Sequence, residues 1–233
     1  MGTVYIGGIG RSARRRGRSS KGQTMKELAL VAEDRGVGLA LAEDYFTAAV
    51  VLPLVMTREG LALLFEVRAS TLRRQPNEIC FPGGKVECGE DALGAALREG
   101  AEEIGWQKDK MTLVGALDYI ITPSRARIYP FVVTVSDWEK MHLSAGEVAE
   151  VFTVPVRFFL ETEPSECEME LATRAGKGFP LDKIPFASET YRTKRSYRVR
   201  WYEYDGRVIW GLTANILLAF VRAVREGRVR LPE

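Results

Sequence analysis

Apolar positions in this chain fall into short runs that end at polar, glycine-containing turns, a pattern typical of β-strands. The first two runs are Phe46–Met56 and Leu61–Val67, and Thr57-Arg58-Glu59-Gly60 between them predicts a hairpin. Further strands are predicted at Met111–Ile121, Ile128–Val135, Cys167–Ala172, Tyr197–Tyr204 and Val208–Trp210. The last two flank Asp205-Gly206, which predicts a second hairpin.

Helical patterns lie between these strands. A short helix is predicted within residues 25–42, and others over Asp91–Ile104, Val156–Leu160 and Leu212–Arg225. The last of them places four apolar side chains on one face, namely Ile216, Leu217, Phe220 and Val224. Because strands and helices interleave, we expect an α/β fold, an α/β/α sandwich around a mixed β-sheet.

The helix over residues 91–104 carries a cluster of acidic side chains. A helical wheel places its apolar positions on one side, namely Leu93, Leu97, Gly100 and Ile104, and its clustered carboxylates on the other, namely Glu99, Glu102 and Glu103. Only Glu102 has a basic residue three or four positions away, Arg98. Like charges at this spacing cost roughly 0.2–0.5 kcal/mol per pair. The cluster indicates either a solvated face or a site for a divalent cation such as Mg²⁺.

Fixed spacing around the cluster distinguishes the two interpretations. The spaced residues are Gly84, Glu90, Arg98, Glu99, Glu102, Glu103 and Gly105, followed by Trp106 at an apolar position. This arrangement resembles the signature of the Nudix hydrolases, G-x5-E-x7-R-E-U-x-E-E-x-G-U, where U is a bulky apolar residue. Gly100 departs from the pattern, and glycine inside a helix costs roughly 1 kcal/mol relative to alanine. We interpret Gly100 as a point of close approach between the helix and its neighbour.

The resemblance implies a Nudix-type fold, the same α/β/α sandwich, and a metal-dependent hydrolase of diphosphates. It implies that Glu99 and Glu103 bind Mg²⁺ or Mn²⁺, with Glu102 as a further ligand. A carbonyl of Gly83 or Gly84 is expected to complete the metal site.

The resemblance also implies roles for the side chains around these ligands. Arg98 is expected to orient the catalytic glutamates, and Glu90 to pair with Arg98 or cap the helix. The general base remains open between Glu99 and two loop carboxylates, Glu147 and Glu150. For the last two, a solvated loop is the alternative interpretation.

Residues 64–84 resemble a second motif, that of Nudix coenzyme A diphosphatases, L-L-T-x-R-[SA]-x3-R-x3-G-x3-F-P-G-G. The matching residues are Leu64, Arg68, Ala69, Arg73, Phe81, Pro82, Gly83 and Gly84, and the departures are Phe65, Glu66 and Asn77. Asparagine in place of glycine is a mild change because it also tolerates a positive φ. Segments 147–152 and 209–217 look like later parts of the same subfamily.

This second resemblance implies hydrolysis of coenzyme A, or a derivative, to 3′,5′-ADP and 4′-phosphopantetheine. Arginine binds phosphate through bidentate, charge-assisted hydrogen bonds, so Arg68, Arg73 and Arg74 are expected to bind substrate, together with Gly83 and Gly84. The alternatives are surface arginines in a loop, a Nudix hydrolase of another nucleoside diphosphate such as ADP-ribose or a dinucleotide, and a non-catalytic Nudix-fold binding module.

Composition narrows the classes of function. The single histidine, His142, argues against histidine-based triads and zinc hydrolase sites. Cys80, Cys88 and Cys167 form no CxxC pair, which indicates a reducing, intracellular setting, and we expect a cytoplasmic protein. No apolar run reaches membrane-spanning length. We expect a small-molecule substrate, no membrane partner and no nucleic-acid partner, and a homodimer is left open.

Charge is unevenly distributed between the N-terminus and the rest of the chain. Residues 1–24 contain six arginines and lysines and no acid, which leaves the remainder at −4 within an overall charge of +2. Low hydrophobicity predicts that this segment is a disordered tail, with a transit peptide or nucleic-acid tethering as alternatives. Residues 25–233 are predicted to form one Nudix domain.

Overall fold

Eleven strands and three α-helices form the described part of this computed structural model, which covers residues 45–184 and 187–232. The strands are β1 (Phe46–Thr57), β2 (Gly60–Arg68), β3 (Ile79–Cys80), β4 (Gly83–Lys85), β5 (Met111–Ala116), β6 (Ile120–Ile121), β7 (Ala126–Val135), β8 (Val148–Pro155), β9 (Ser165–Thr173), β10 (Arg192–Tyr204) and β11 (Arg207–Trp210). The helices are α1 (Ala92–Ile104), α2 (Val156–Glu161) and α3 (Gly211–Arg225). A single 3₁₀ turn, Lys108–Lys110, precedes β5.

Strands β1 to β8 form one mixed sheet with the order β3-β2-β1-β7-β5. β1 and β7 are parallel, and the other pairs are antiparallel, with β8 paired to β2 and β6 to β7. β1 pairs with β2 from Leu54 onward, while its earlier part, around Ala49, pairs with β4. β2 and β4 therefore occupy the same edge of β1 at different heights, and the segment between them includes β3, which pairs with β2.

Two hydrophobic cores lie on opposite faces of this sheet. On one face, Ala95, Ala96 and Ile104 of α1 pack against a group that includes Val51 and Leu64. The other core contains residues of β1 and β2 together with side chains of α2, α3, β10 and β11, including Phe65, Phe159, Tyr202, Ile209 and Phe220. Helices therefore cover both faces, and the α/β/α sandwich with a mixed sheet is confirmed.

A second sheet, β11-β10-β9, is antiparallel throughout. Its inner residues Tyr202 and Ile209 join the core beneath α3, whereas every residue of β9 is exposed. The sequence predicted β9 only over Cys167–Ala172 and β10 only over Tyr197–Tyr204. Both strands extend further in the structure. The prediction stopped short because the strand ends carry polar residues, which show no alternation of apolar and polar positions.

The other predicted elements agree closely with the structure. Both hairpins, the helix over 91–104, the short helix from Val156 and the C-terminal helix are confirmed, within one or two residues at their ends. The predicted strand Met111–Ile121 is wrong in one respect, since β5 ends at Ala116 and a separate short strand, β6, follows.

The described residues belong to one compact unit that extends over Glu43–Glu233. The predicted tail at 1–24 and helix within 25–42 lie outside the described residues. None of the described helices is both long enough and apolar enough to cross a membrane.

Candidate active site

Helix α1 is held at both ends by features that the sequence encodes. Asp91 caps its N-terminus by accepting a hydrogen bond from the Gly94 N–H. Gly105 ends it in the left-handed conformation, with φ +78°, and a Cβ there would lie 2.5 Å from the His142 carbonyl oxygen. Glycine is therefore required at this end for both conformation and space.

Arg98 connects the acidic side chains on one side of α1. Its Nε and Nη2 donate to the two oxygens of Glu90 at 3.0 Å each, and Nη1 donates to Glu99 at 2.9 Å and to Glu102 at 3.3 Å. Nη2 also donates to the Lys85 carbonyl, which joins the helix to β4. The hydrogen bond from Arg98 lowers the pKa of Glu90 below its usual value. The predicted pairing of Glu90 with Arg98 is present in the structure.

Gly83 and Gly84 bring the backbone of β4 directly against α1. The Gly83 N–H donates to Oε2 of Glu103 at 2.8 Å. A Cβ on Gly84 would lie 2.4–2.7 Å from the carboxylate atoms of Glu99. The two glycines therefore contact the two carboxylates expected to bind metal, one through its N–H and the other through its missing side chain.

The prediction that the whole acidic face of α1 points away from the core is wrong for Glu103. Its side chain is buried, at 5% exposure, whereas Glu102 is exposed. Burial is the main cause that raises the pKa of Glu103 to about 9, and repulsion from Glu66 adds to it, while the Gly83 N–H acts in the opposite direction. The helical wheel predicted exposure from the sequence of α1 alone. It could not take account of the segment from β2 to β4, which covers the Glu103 carboxylate.

Glu66 is a residue of the site that sequence reasoning missed. It is fully buried on β2, its Oε1 accepts a hydrogen bond from Sγ of Cys80 at 3.1 Å, and its Oε2 has no partner among the described residues. Burial raises the pKa of Glu66 to about 7. The signal was available in the sequence, because a lone acid stands at an inward position within the apolar run Leu61–Val67.

Arg68 lies two residues beyond Glu66 and therefore on the same face of β2. Its charge acts on both Glu66 and Glu103 and favours their ionised forms. Its Nε is buried and has no hydrogen-bond partner within the described residues. A buried cationic donor without an acceptor is suited to receive an anionic group.

Of the two predicted loop carboxylates, Glu147 precedes β8, whereas Glu150 lies within β8 and not in a loop. The two face different sides of the sheet. Glu147 accepts a hydrogen bond from Ser144 and raises the pKa of Glu66 by charge repulsion, so it lies on the α1 side. Glu150 pairs with Val67, whose neighbour Glu66 faces α1, and it therefore faces the opposite side. It accepts a 2.6 Å hydrogen bond from Arg207, which lowers the pKa of Glu150. The structure does not bring Glu150 together with the α1 glutamates.

Arg73 and Arg74 lie in the exposed segment between β2 and β3. Neither forms a hydrogen bond or ion pair with the rest of the described chain. Asn77 has a φ of 60°, the positive value for which the related motif uses glycine. The loop can therefore turn as the motif requires, and Phe81, buried and stacked on Phe65 at 4.8 Å, fixes its return to the sheet.

The residue types here fit a hard divalent cation. Glu99, Glu102, Glu103 and Glu66 supply carboxylate oxygens, the ligands that Mg²⁺ and Mn²⁺ prefer, and the unpartnered Oε2 of Glu66 is an acceptor that lacks a positive group. Within residues 45–184 and 187–232, no three carboxylate, thiol or imidazole side chains are already arranged around one point. Arg98 engages Glu99 while the Gly83 N–H engages Glu103, so cation binding requires side-chain rotation.

Comparisons with known proteins give the family. A family model described as the NUDIX domain matches residues 45–169, more than half of the chain. A Citrobacter koseri protein described as the uncharacterized Nudix hydrolase NudL is 33% identical over 173 residues, covering 73% of this chain and 78% of its own length.

Two further similarities cover less of this chain. The mouse peroxisomal coenzyme A diphosphatase NUDT7 is 34% identical over 131 residues, 56% of this chain and 55% of the mouse protein. Among solved structures, a C. elegans Ap4A hydrolase superposes on 49% of this chain and 83% of its own, with a TM-score of 0.42 and 18% identity. From the family model and the Citrobacter relative together, this chain belongs to the Nudix hydrolase family, enzymes that act on pyrophosphate bonds.

Proposed function

We propose that this protein hydrolyses the diphosphate bond of coenzyme A or a derivative, giving 3′,5′-ADP and 4′-phosphopantetheine or its acylated form. The observation that carries the proposal is the segment from Arg68 to Gly84. It begins with a buried unpartnered arginine donor, presents two exposed unpaired arginines, and ends at the glycines that contact Glu99 and Glu103. Cationic groups therefore lie along the approach to the carboxylate cluster.

Coenzyme A suits this distribution of charge because it carries phosphate at two separate places. The diphosphate bridge would meet Arg68 beside the carboxylate cluster, and the 3′-phosphate would bind Arg73 or Arg74 through charge-assisted hydrogen bonds. The mouse relative is itself described as a coenzyme A diphosphatase. All four glutamates of the Nudix signature are present, which favours an enzyme over a non-catalytic binding module.

Nudix hydrolases generally need a divalent metal ion, and we propose that Glu99 and Glu103 hold Mg²⁺ or Mn²⁺ here, with Glu102 as a further ligand. A cation bound there neutralises negative charge on the phosphate oxygens and lowers the pKa of a coordinated water. The Gly83 N–H fixes Glu103, and Arg98 fixes Glu99 and Glu102. These contacts hold the carboxylates in place without a cation, and Glu99 and Glu103 would rotate out of them to bind one.

For the general base, the arrangement favours Glu147 or Glu99 over Glu150. Glu147 is exposed and lies on the α1 side of the sheet, so it can take a proton from an attacking water and release it to solvent. Glu150 faces the other side and is paired with Arg207. Glu147→Gln should lower kcat roughly 10²–10⁴-fold if Glu147 is the base, and Glu150→Gln should leave kcat unchanged.

The experiment that tests the substrate is a comparison of hydrolysis rates with Mg²⁺ across coenzyme A, ADP-ribose and dinucleotides. We expect coenzyme A to have the highest kcat/KM. Arg73→Ala should reduce kcat/KM for coenzyme A about 10- to 100-fold, since a hydrogen bond to a charged group contributes roughly 1.5–3 kcal/mol, and should leave ADP-ribose hydrolysis nearly unchanged.

Arg58→Ala is the matched control, because Arg58 is also exposed but lies in the β1–β2 turn, at the opposite end of β1 from Gly84. It should leave both activities at the wild-type rate. Equal losses for coenzyme A and ADP-ribose in Arg73→Ala, or a preference of the wild type for ADP-ribose, would contradict the assignment to coenzyme A.

A further inference from the structure

Glu66 occupies a position where a carboxylate is costly unless something compensates it. It has no exposed surface and lies in β2 between apolar residues of the two cores. Glutamate is rarely buried to this extent unless it is paired or binds a metal. The coenzyme A motif that residues 64–84 resemble has threonine at this position, so the acid is a feature of this chain.

The partners of Glu66 leave its charge largely uncompensated. Its Oε1 accepts one hydrogen bond, from the thiol of Cys80, which is a weak donor. Oε2 is buried and accepts none from the described residues. Arg68 lies on the same face and acts on Glu66 through charge, but neither residue satisfies the unpartnered atom of the other. A buried acceptor of this kind requires an explanation.

Glu66 and the proposed metal ligands Glu99 and Glu103 share one side of the sheet. Glu66 lies on the α1 side of the sheet, and its charge acts directly on Glu103. Glu103 in turn is fixed by the Gly83 N–H, next to Gly84 and Glu99. A divalent cation among these oxygens would convert a repulsive pair of buried acids into a set of ligands.

We propose that Glu66 is a further ligand of the divalent cation held by Glu99 and Glu103, contributed by the sheet rather than by the helix. This inference rests on the proposed metal-dependent function. The cation would then be bound by α1 and β2 together, so that its binding fixes the catalytic helix to the sheet. Metal affinity in the absence of substrate should consequently depend on Glu66.

The test measures Mn²⁺ binding without nucleotide, by the electron paramagnetic resonance signal of free Mn²⁺, for the wild type, Glu66→Gln and Glu66→Thr. Both variants should bind Mn²⁺ about 10- to 100-fold more weakly, a loss typical for groups that support a metal site. Thermal unfolding in EDTA gives a second readout. Without metal both variants should melt at or above the wild-type temperature, and the rise on adding MgCl₂ should be smaller for them.

Two controls separate the carboxylate from its surroundings. Cys80→Ala removes the thiol donor but keeps Glu66, and should bind Mn²⁺ at least as tightly as the wild type. Glu163→Gln removes a surface carboxylate that pairs with Arg225 and should change neither readout. Retention of the wild-type Mn²⁺ affinity in both Glu66 variants would overturn the inference.

The outcome also separates this inference from the proposed function. If the wild type binds Mn²⁺, Glu103→Gln does not, and the Glu66 variants bind as the wild type does, then only the role of Glu66 is wrong. If the wild type binds no Mn²⁺, the metal site itself is wrong and the inference fails with it. Variants that melt lower than the wild type equally with and without MgCl₂ would show a structural role and overturn the inference.

Discussion

Two adjacent glycines in β4 act on the carboxylates of α1 in different ways. Gly84 leaves space for the carboxylate of Glu99, and no positive φ is required there. Gly83 has a φ of +155°, and a Cβ on it would lie 2.3 Å from the Ala49 carbonyl oxygen. A side chain at Gly84 would therefore disturb a functional group, whereas one at Gly83 would disturb the sheet.

Gly84→Ala and Gly83→Ala should accordingly separate activity from stability. In Gly84→Ala the flexible end of Glu99 must move away, and a displaced ligand should lower kcat by at least about 10²-fold with little change in melting temperature. Gly83→Ala should lower the melting temperature because backbone atoms cannot move away easily. Activity assays and thermal unfolding check both, and equal melting losses in the two variants would contradict the distinction.

Glu103→Gln should abolish Mg²⁺-dependent hydrolysis while leaving the fold intact. Its amide can still accept the hydrogen bond from the Gly83 N–H but carries no charge for a cation. Since a buried acid is removed, the metal-free variant should unfold at or above the wild-type temperature. Circular dichroism tests whether the variant is folded, and a coenzyme A hydrolysis assay measures its activity. Full activity in the variant would contradict the assignment of Glu103 as a metal ligand.

At the scale of single elements, the sequence predicted α1, β1, β2 and β7 well because their apolar patterns are strong. It failed where an element is covered by another one. The wheel placed Glu103 on an outward face, but the β2–β4 segment buries it. Glu66 was recognised only as a departure from a motif, although its inward position within the apolar run Leu61–Val67 signals burial. Spacing identifies the residue types of a site, and tertiary packing decides their exposure and charge.

Gly100 illustrates how closely α1 packs on the sheet. A Cβ at Gly100 would lie 3.1 Å from Cγ2 of Val51, whereas the nearest atom to one at Gly94 would be Oδ1 of the Asp91 carboxylate, at 3.5 Å. This supports the interpretation of Gly100 as a point of close approach. The two helix glycines therefore differ in surroundings while sharing the same intrinsic helix penalty.

Gly94→Ala and Gly100→Leu form a matched pair that measures this packing. Gly94→Ala should stabilise the protein by about 0.5–1 kcal/mol through helix propensity. Gly100→Leu should destabilise it by about 1–3 kcal/mol, because added volume forces α1 away from β1. Urea unfolding gives both free energies. Stabilisation by leucine at position 100 would show that the helix and the sheet are not in close contact there.

At the scale of the whole molecule, the two faces of the mixed sheet differ in character. The core beneath α2 and α3 contains buried aromatic residues, including Phe65, Phe159 and Phe220. The buried residues of the core on the α1 face are aliphatic apart from Trp106 and Met111, and this face also contains the two buried acids Glu66 and Glu103. Stability from the first core thus offsets the cost of burying two acids at the second.

The buried acids predict how the stability of the whole metal-free protein depends on pH. In the folded state the pKa of Glu103 is raised to about 9 and that of Glu66 to about 7, both from a usual 4.5. From pH 4.5 up to the raised pKa of each group, the folded protein keeps a proton on that carboxyl group that the unfolded chain has lost. This contribution to stability is therefore complete below about pH 4.5 and is lost as the pH rises through about 7 and then about 9.

In EDTA, the free energy of unfolding of the wild type should consequently fall from pH 5.5 to pH 9, as measured by urea titration at several pH values. Glu103→Gln should remove most of the fall between pH 7 and pH 9, since an amide does not titrate, whereas Glu163→Gln should keep the wild-type slope. Adding MgCl₂ at pH 9 should restore stability to the wild type but not to Glu103→Gln, because a cation stabilises the ionised acid. A wild-type stability that rises with pH in EDTA would contradict the burial of these two carboxyl groups.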